Sequence, residues 1–142
     1  MFRKPKIDSY IEPMPKKQFL QLMKEFKNEG GIYQSDEDSE RFLDIQGAEA
    51  CTLNEKTILF RRRPSRSAVY EELFHVSQYK EGKIDGTITA MLLCEIEAQE
   101  YLLKNAIEFK LTDREIIQTP NALSWYREQL DQMKGDNKDD NL

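Results

Sequence analysis

Histidine is the scarcest chemically versatile side chain here: His75 is the only one in 142 residues. A centre that needs two or three imidazoles is therefore excluded, and any metal or catalytic site must draw its other groups from acids. Cysteine is nearly as scarce. Cys51 and Cys94 make neither a C-x-x-C motif nor a disulfide framework, and both read as small buried apolar residues. No apolar run approaches the roughly 20 residues that span a bilayer. The opening Met1-Phe2-Arg3-Lys4-Pro5-Lys6 lacks the apolar core of a signal peptide, so the expectation is a chain made in the cytoplasm, with any export by another route. Positive charge is also in deficit. A net charge of −5 argues against nucleic acid as the main partner, because phosphate binding requires a basic surface.

What is present suffices for one domain with a core. Charged residues reach 33% and hydrophobic ones 39%, but the apolar positions are periodic, which argues against disorder throughout. Residues 1–12 read as an irregular arm. Phe19, Leu22, Met23 and Phe26 then recur at helical spacing until Gly30-Gly31. Ile32-Tyr33-Gln34 suits a short strand, and Ser35 followed by Asp36-Glu37-Asp38 suits a helix start, with Gly47 as its end. Residues 48–53 and 57–63 predict a β-hairpin around Asn54-Glu55-Lys56, with Ile58 and Phe60 on one face, Leu59 and Arg61 on the other, and Pro64 closing the strand.

Ser65 or Ser67 caps the next predicted helix, which runs to about Lys80. A loop with Gly82 and Gly86 leads to a long helix from Thr87 to about Phe109. Thr112-Asp113-Arg114-Glu115 is a capping box for a short helix, and Thr119-Pro120 opens a last one ending at Lys134-Gly135. The acidic residues 136–142 read as a solvated, disordered tail. The predicted class is α+β: a single domain over 1–135, with a small sheet or hairpin packed against helices.

The chemistry concentrates in Glu71-Glu72-Leu73-Phe74-His75. Zinc hydrolase helices read H-E-x-x-H, two ligands one turn apart with a general-base glutamate beside the first. Here Glu71 stands where the first histidine would. At about 100° per residue, Glu71 and His75 lie about 40° apart and Glu72 about 60° beyond His75. All three share one sector of the helix, while Val69, Leu73 and Val76 fall elsewhere. Taken alone, this pattern is equally that of a solvated acidic face with a salt-bridging histidine. The following helix carries Glu95 and Glu97 at the distance of a third ligand, pointing to nearly opposite sides. Alignment favours Glu97, with Glu95 second. Glu71, His75 and Glu97 would hold zinc or another divalent metal with a position left for water, and Glu72 would take the proton.

The run Ser65–Tyr79, the hairpin before it and Cys94-Glu95-Ile96-Glu97-Ala98-Gln99-Glu100 after it resemble the zincin-like metallopeptidase toxin domains of bacterial polymorphic toxin systems. The likeness covers roughly residues 30–132. It implies a minimal zincin-like fold and a toxin effector that hydrolyses a protein or peptide, acting after release by a toxin system. It also implies a cognate immunity protein as partner. Glu72 matches the general base, His75 a ligand, and Glu97 before Ala98 the downstream ligand of glutamate zincins. Glu71 departs from the pattern: a carboxylate there makes the site more anionic and less distinctive for zinc, which leaves open another metal or an inactive site.

Two other readings compete. Glu72-x-x-His75 is half of a di-iron carboxylate motif, although such bundles use two histidines. A metal-free polar network would suit an inactive zincin-fold interaction module. The basic run Arg61-Arg62-Arg63 with Arg66 reads as a solvated strand edge rather than a nucleic-acid grip. Tyr79 and Tyr101 align with the site faces as oxyanion donors, or as buried aromatic rings with a hydroxyl at the cleft edge.

Overall fold

The computed structural model describes residues 11–140, with side chains through Gly135. Eight elements follow in order: α1 (Lys16–Asn28), β1 (Ile32–Gln34), α2 (Glu37–Gln46), β2 (Ala50–Thr52), β3 (Thr57–Phe60), α3 (Arg66–Lys80), α4 (Ile88–Lys104) and α5 (Asp113–Asp140). The predicted hairpin is present, with Cys51 opposite Leu59 and Thr52 opposite Ile58. β3 is central in the order β1-β3-β2 and pairs in parallel with β1, Tyr33 opposite Ile58. The crossover that this parallel pairing demands is made by α2. The class is α+β. Among the described residues, no helix is long and apolar enough to cross a membrane.

Both faces of β3 are covered. Ile58 and Phe60 join Phe19, Met23 and Phe26 of α1 and Val69 and Val76 of α3 in one core, where the Phe60 and Tyr33 rings meet Phe19 edge-on. Leu59, expected on the face opposite Ile58 and Phe60, is also buried, and α2 packs against β3. A second cluster, Leu92 with Ala122, Tyr126 and Leu130, joins α4 to α5. Stacked rings, Tyr70 on Phe109 and Phe74 on Tyr101, tie α3 to α4 and the turn that follows it.

Capping chemistry sets the helix starts. Ser65 caps α3 by accepting from the Ala68 N–H, and Thr87 caps α4. For α2 the cap is Asp36, one residue beyond the expected Ser35, because its carboxylate reaches the Ser39 N–H. The capping box at Thr112 forms, and its Glu115 does more. One carboxylate oxygen takes the Thr112 N–H, while the other takes the Ser67 N–H at 2.5 Å, so one buried acid ties down the first turns of α5 and α3.

The C-terminal half differs from expectation. α4 stops at Lys104, and turns lead to Lys110, whose φ of 54° reverses the chain. The two predicted final helices are one: Pro120 lies inside α5, and the Thr119 hydroxyl bonds the Glu115 carbonyl in that turn. The α5 backbone continues to Asp140, past the expected stop at Gly135. Residues 1–10 of the predicted arm, and the side chains of the predicted tail, lie outside the described residues.

Arg61 stitches α2 to the sheet. Its guanidinium donates to Glu40 at 2.8 Å, Asp44 at 2.5 Å and the Ala48 carbonyl at 2.9 Å, and the Arg62 N–H adds a bond to Glu40. This arginine is therefore a buttress rather than part of a free basic edge. Hydrogen bonding from Arg61 and then from the Arg62 backbone holds the Glu40 carboxyl below the usual carboxylate range. A lowered folded-state value contributes stability above the unfolded value, and the contribution is lost as pH falls through the folded one. Arg61→Met should cost about 2 kcal/mol at neutral pH in denaturant titration. The gap from wild type should narrow as pH falls.

Candidate metal centre

α3 carries its apolar residues and its acids on different sides, and both sides are buried. Val69 and Val76 enter the sheet core, while Glu71, Glu72 and His75 are only 4–7% exposed. Their potential ligand atoms lie within 4.8 Å of one another. Burying carboxylates is costly unless donors replace water, and β2 and α4 each supply one. From β2, the Thr52 N–H and hydroxyl donate to one oxygen of Glu72 at 3.1 and 3.2 Å. From α4, the Gln99 amide donates to Glu71 at 2.7 Å. From α5, Tyr126 is buried against Leu92 of α4, and burial followed by the charge of Glu95 raises its hydroxyl pKa.

The orientation of His75 follows from Gln78. The Gln78 amide nitrogen donates to the Cys94 carbonyl at 2.9 Å and toward Glu97 at 3.3 Å. Both partners are acceptors, so the other end of the amide must be the oxygen. That oxygen meets His75 Nδ1 at 2.7 Å. Nδ1 therefore carries a proton, and in the neutral ring the lone pair is on Nε2. Nε2 faces Glu95 at 3.4 Å and Glu71 at 3.8 Å. These distances exceed the 2.7–2.9 Å or so of a charge-assisted hydrogen bond. They approach the spacing, roughly 3.3 Å, of two ligands each about 2.0–2.1 Å from a tetrahedral ion.

The donor set fits a divalent cation. Three carboxylates converge on one imidazole, which offsets at most one of their charges. The imidazole nitrogen facing them is the one left able to bind a cation, and its Nδ1–H is fixed by a hydrogen-bonding partner. Oxygen-rich sets suit manganese or magnesium as well as zinc. Without a cation, burial opposes charging of the ring, but the nearby carboxylates of Glu95, Glu71 and Glu72 outweigh it and raise the His75 pKa well above its ordinary value.

Helix α4 presents Glu95, not Glu97, to His75. Glu97, preferred on alignment, is half-exposed and paired with Lys83 at 3.0 Å, reaching the centre only through Gln78. The sequence did carry the signal: Leu92, Ala98, Gln99 and Leu102 are all buried, and Glu95 lies within their stripe while Glu97 lies opposite. The same phase points to Gln99, one turn after Glu95, and Gln78 is one turn after His75. Thr52 and Tyr126 carry no such local signal, since only the tertiary fold brings them in. Of the two proposed oxyanion donors, Tyr101 stacks on Phe74 and meets Phe109 edge-on, and burial, followed by the charge of Glu108, raises its hydroxyl pKa. Tyr79 is closer: burial raises its hydroxyl pKa first, with further effects from Cys51 and His75. Both cysteines are free and buried.

A single histidine makes the tautomer directly measurable. In the metal-free chain, at a pH above the raised imidazole pKa, long-range proton–nitrogen NMR should show Nδ1 protonated and Nε2 bare. Gln78→Leu should shift the population toward the other tautomer. No family model matches this chain, and no curated protein or solved structure matches it.

Proposed function

We propose that this protein is a divalent-metal-dependent peptide hydrolase of the zincin-like toxin type, with zinc as the first candidate metal. The observation that carries the proposal is the aim of His75 Nε2 at the carboxylates of Glu71 and Glu95. His75 and Glu71 of α3 and Glu95 of α4 are the ligands proposed. Glu95 takes the place given to Glu97 on alignment. A bound divalent ion would acidify water and polarise the scissile carbonyl.

The chain's own residues do the rest. Glu72 is the base: Thr52 fixes one carboxylate oxygen, and the carboxylate accepts the proton of the attacking water and returns it to the departing amine. Gln78 fixes the imidazole and Gln99 fixes Glu71, so neither ligand has to reorient when a cation enters. Substituting Glu71 for a histidine makes the centre more anionic, which widens the range of metals it accepts. The toxin resemblance adds a protein substrate in a target cell and a cognate immunity protein as partner.

A second reading is favoured by the low exposure of Glu71, Glu72 and His75. It takes the centre as an enclosed carboxylate-rich ion site that joins α3 to α4 without turnover, in an inactive zincin-fold module.

Three variants and a chelator separate these readings. His75→Ala should lose the metal, measured by elemental analysis of the purified chain; unchanged metal content would remove the centre altogether. Glu72→Gln should keep the metal and the melting temperature but lower peptide-library hydrolysis by roughly 10²–10⁴-fold. Glu97→Gln should leave metal content unchanged. Stoichiometric metal, a lower melting temperature on chelation and no hydrolysis by wild type would select the second reading.

A further inference from the structure

The edge of the sheet opposite the acid cluster is open. β3 lies between β1 and β2, and β2 is the strand that meets Glu72, so β1 forms the other edge. The Ile32 N–H bonds the Lys56 carbonyl across the parallel pair, and alternation along the strand therefore turns the Tyr33 N–H and carbonyl away from β3. Where β1 meets the start of α1 and the turn after β3, there is a groove of about 720 Å³. Its walls are tied together by the Met14 N–H on the Pro64 carbonyl and the Ser35 hydroxyl on the Arg61 carbonyl, both at 2.8 Å. Phe19, Leu20 and Tyr33 give it an apolar lining, with Leu20 48% exposed. Lys16, Arg62 and Arg63 line it as well, against a single acid, Glu12. This is a local reversal of sign in a chain whose net charge is −5.

We propose that this groove docks an extended acidic segment of a partner protein. Its backbone lies along the β1 edge, an apolar side chain rests on Phe19 and Leu20, and its carboxylates meet Lys16, Arg62 and Arg63. The proposal does not depend on the metal centre. Charge complementarity selects the occupant. Glu40 and Asp44 of α2 are taken by Arg61, and among the described residues the side chains of Lys16, Arg62 and Arg63 make no ion pair. Residues 1–10 carry Arg3, Lys4 and Lys6 against Asp8, so the chain's own arm has the wrong sign for this lining. The overall negative charge opposes nucleic acid. The volume alone would also fit a small molecule, but the outward Tyr33 backbone pair favours a peptide. Strand addition takes affinity from such main-chain bonds and specificity from alternate side chains in adjoining pockets.

The test is fluorescence anisotropy of the full chain with short capped peptides. The first alternates glutamate with leucine or phenylalanine; the second has glutamine for glutamate; the third has serine for the apolar residues. The first should bind about 10-fold more tightly than either of the others. Arg62→Glu combined with Arg63→Glu should weaken its binding about 10-fold or more, and added salt should weaken it too. Leu20→Ser should also weaken it, with a melting temperature close to wild type. Equal affinity for the first and second peptides, or for wild type and the double arginine variant, overturns the proposal. Equal affinity for the first and third peptides leaves a charged patch without a docking groove, and overturns it as well. Tighter binding of a short single-stranded DNA through the same arginines assigns the groove to nucleic acid instead. A dimer of the chain that the double variant dissociates, or nuclear Overhauser contacts from residues 1–10 to Leu20, assigns it to a second copy or to the arm; any of these overturns the proposal. A chelator should leave peptide binding unchanged, and loss of binding on chelation moves the peptide to the metal centre and overturns the docking site. Should the double variant fail to fold, wild type suffices: the first peptide should shift the Tyr33 amide resonance, and an unmoved resonance overturns the proposal.

Discussion

Burying the polar side of α3 is the constraint from which the rest of the structure follows. One face of that helix enters the sheet core through Val69 and Val76, and the other brings Glu71, Glu72 and His75 into an interior with little water. Such groups are tolerated only where donors replace the lost solvent. The hairpin and α4 each supply one, through Thr52 and Gln99, and on α3 itself the Gln78 amide oxygen accepts from His75 Nδ1. The placement of these elements is therefore tied to polar satisfaction as much as to apolar burial. Glu115 extends the same logic to the helix ends by bonding the starts of α3 and α5 together.

Surplus negative charge distinguishes this interior from an ordinary buried polar network. A core network for stability alone is best when its charges cancel, since buried ions that do not cancel are strongly destabilising. Glu71, Glu72 and Glu95 face a single imidazole, and the two carboxylates nearest Nε2 stand farther off than a tight ion pair would. A divalent cation, as proposed above, would account for both features. The enclosure that strengthens such electrostatics also restricts access, so the proposed turnover and the proposed ion binding are separate claims. Glu72 is the residue on which they part.

Much of the fold was legible because local chemistry agrees with it. The α1 periodicity, the hairpin turn, the Ser65 cap, the start of α4 near Thr87 and the capping box at Thr112 each rest on residues close in sequence. Where local signals conflicted, the expectation failed. Thr119-Pro120 is a good helix start, yet α5 passes through it, with the Thr119 hydroxyl bonded to the Glu115 carbonyl and Thr119, Ala122 and Leu123 buried around the proline. In the site, Glu71, Glu72 and His75 were readable because they share one helix. The choice between Glu95 and Glu97 depended on the rotation of α4 against α3, which the buried stripe through Leu92, Gln99 and Leu102 fixes.

The central claim, that His75 Nε2 with Glu71 and Glu95 forms a metal centre, is tested most directly by anomalous diffraction. Crystals grown with zinc and measured above and below the zinc absorption edge should show one strong peak bonded to His75 Nε2, with oxygens of Glu71 and Glu95 completing the protein ligands. An empty position there, with His75 protonated and ion-paired to the two carboxylates, would contradict the account.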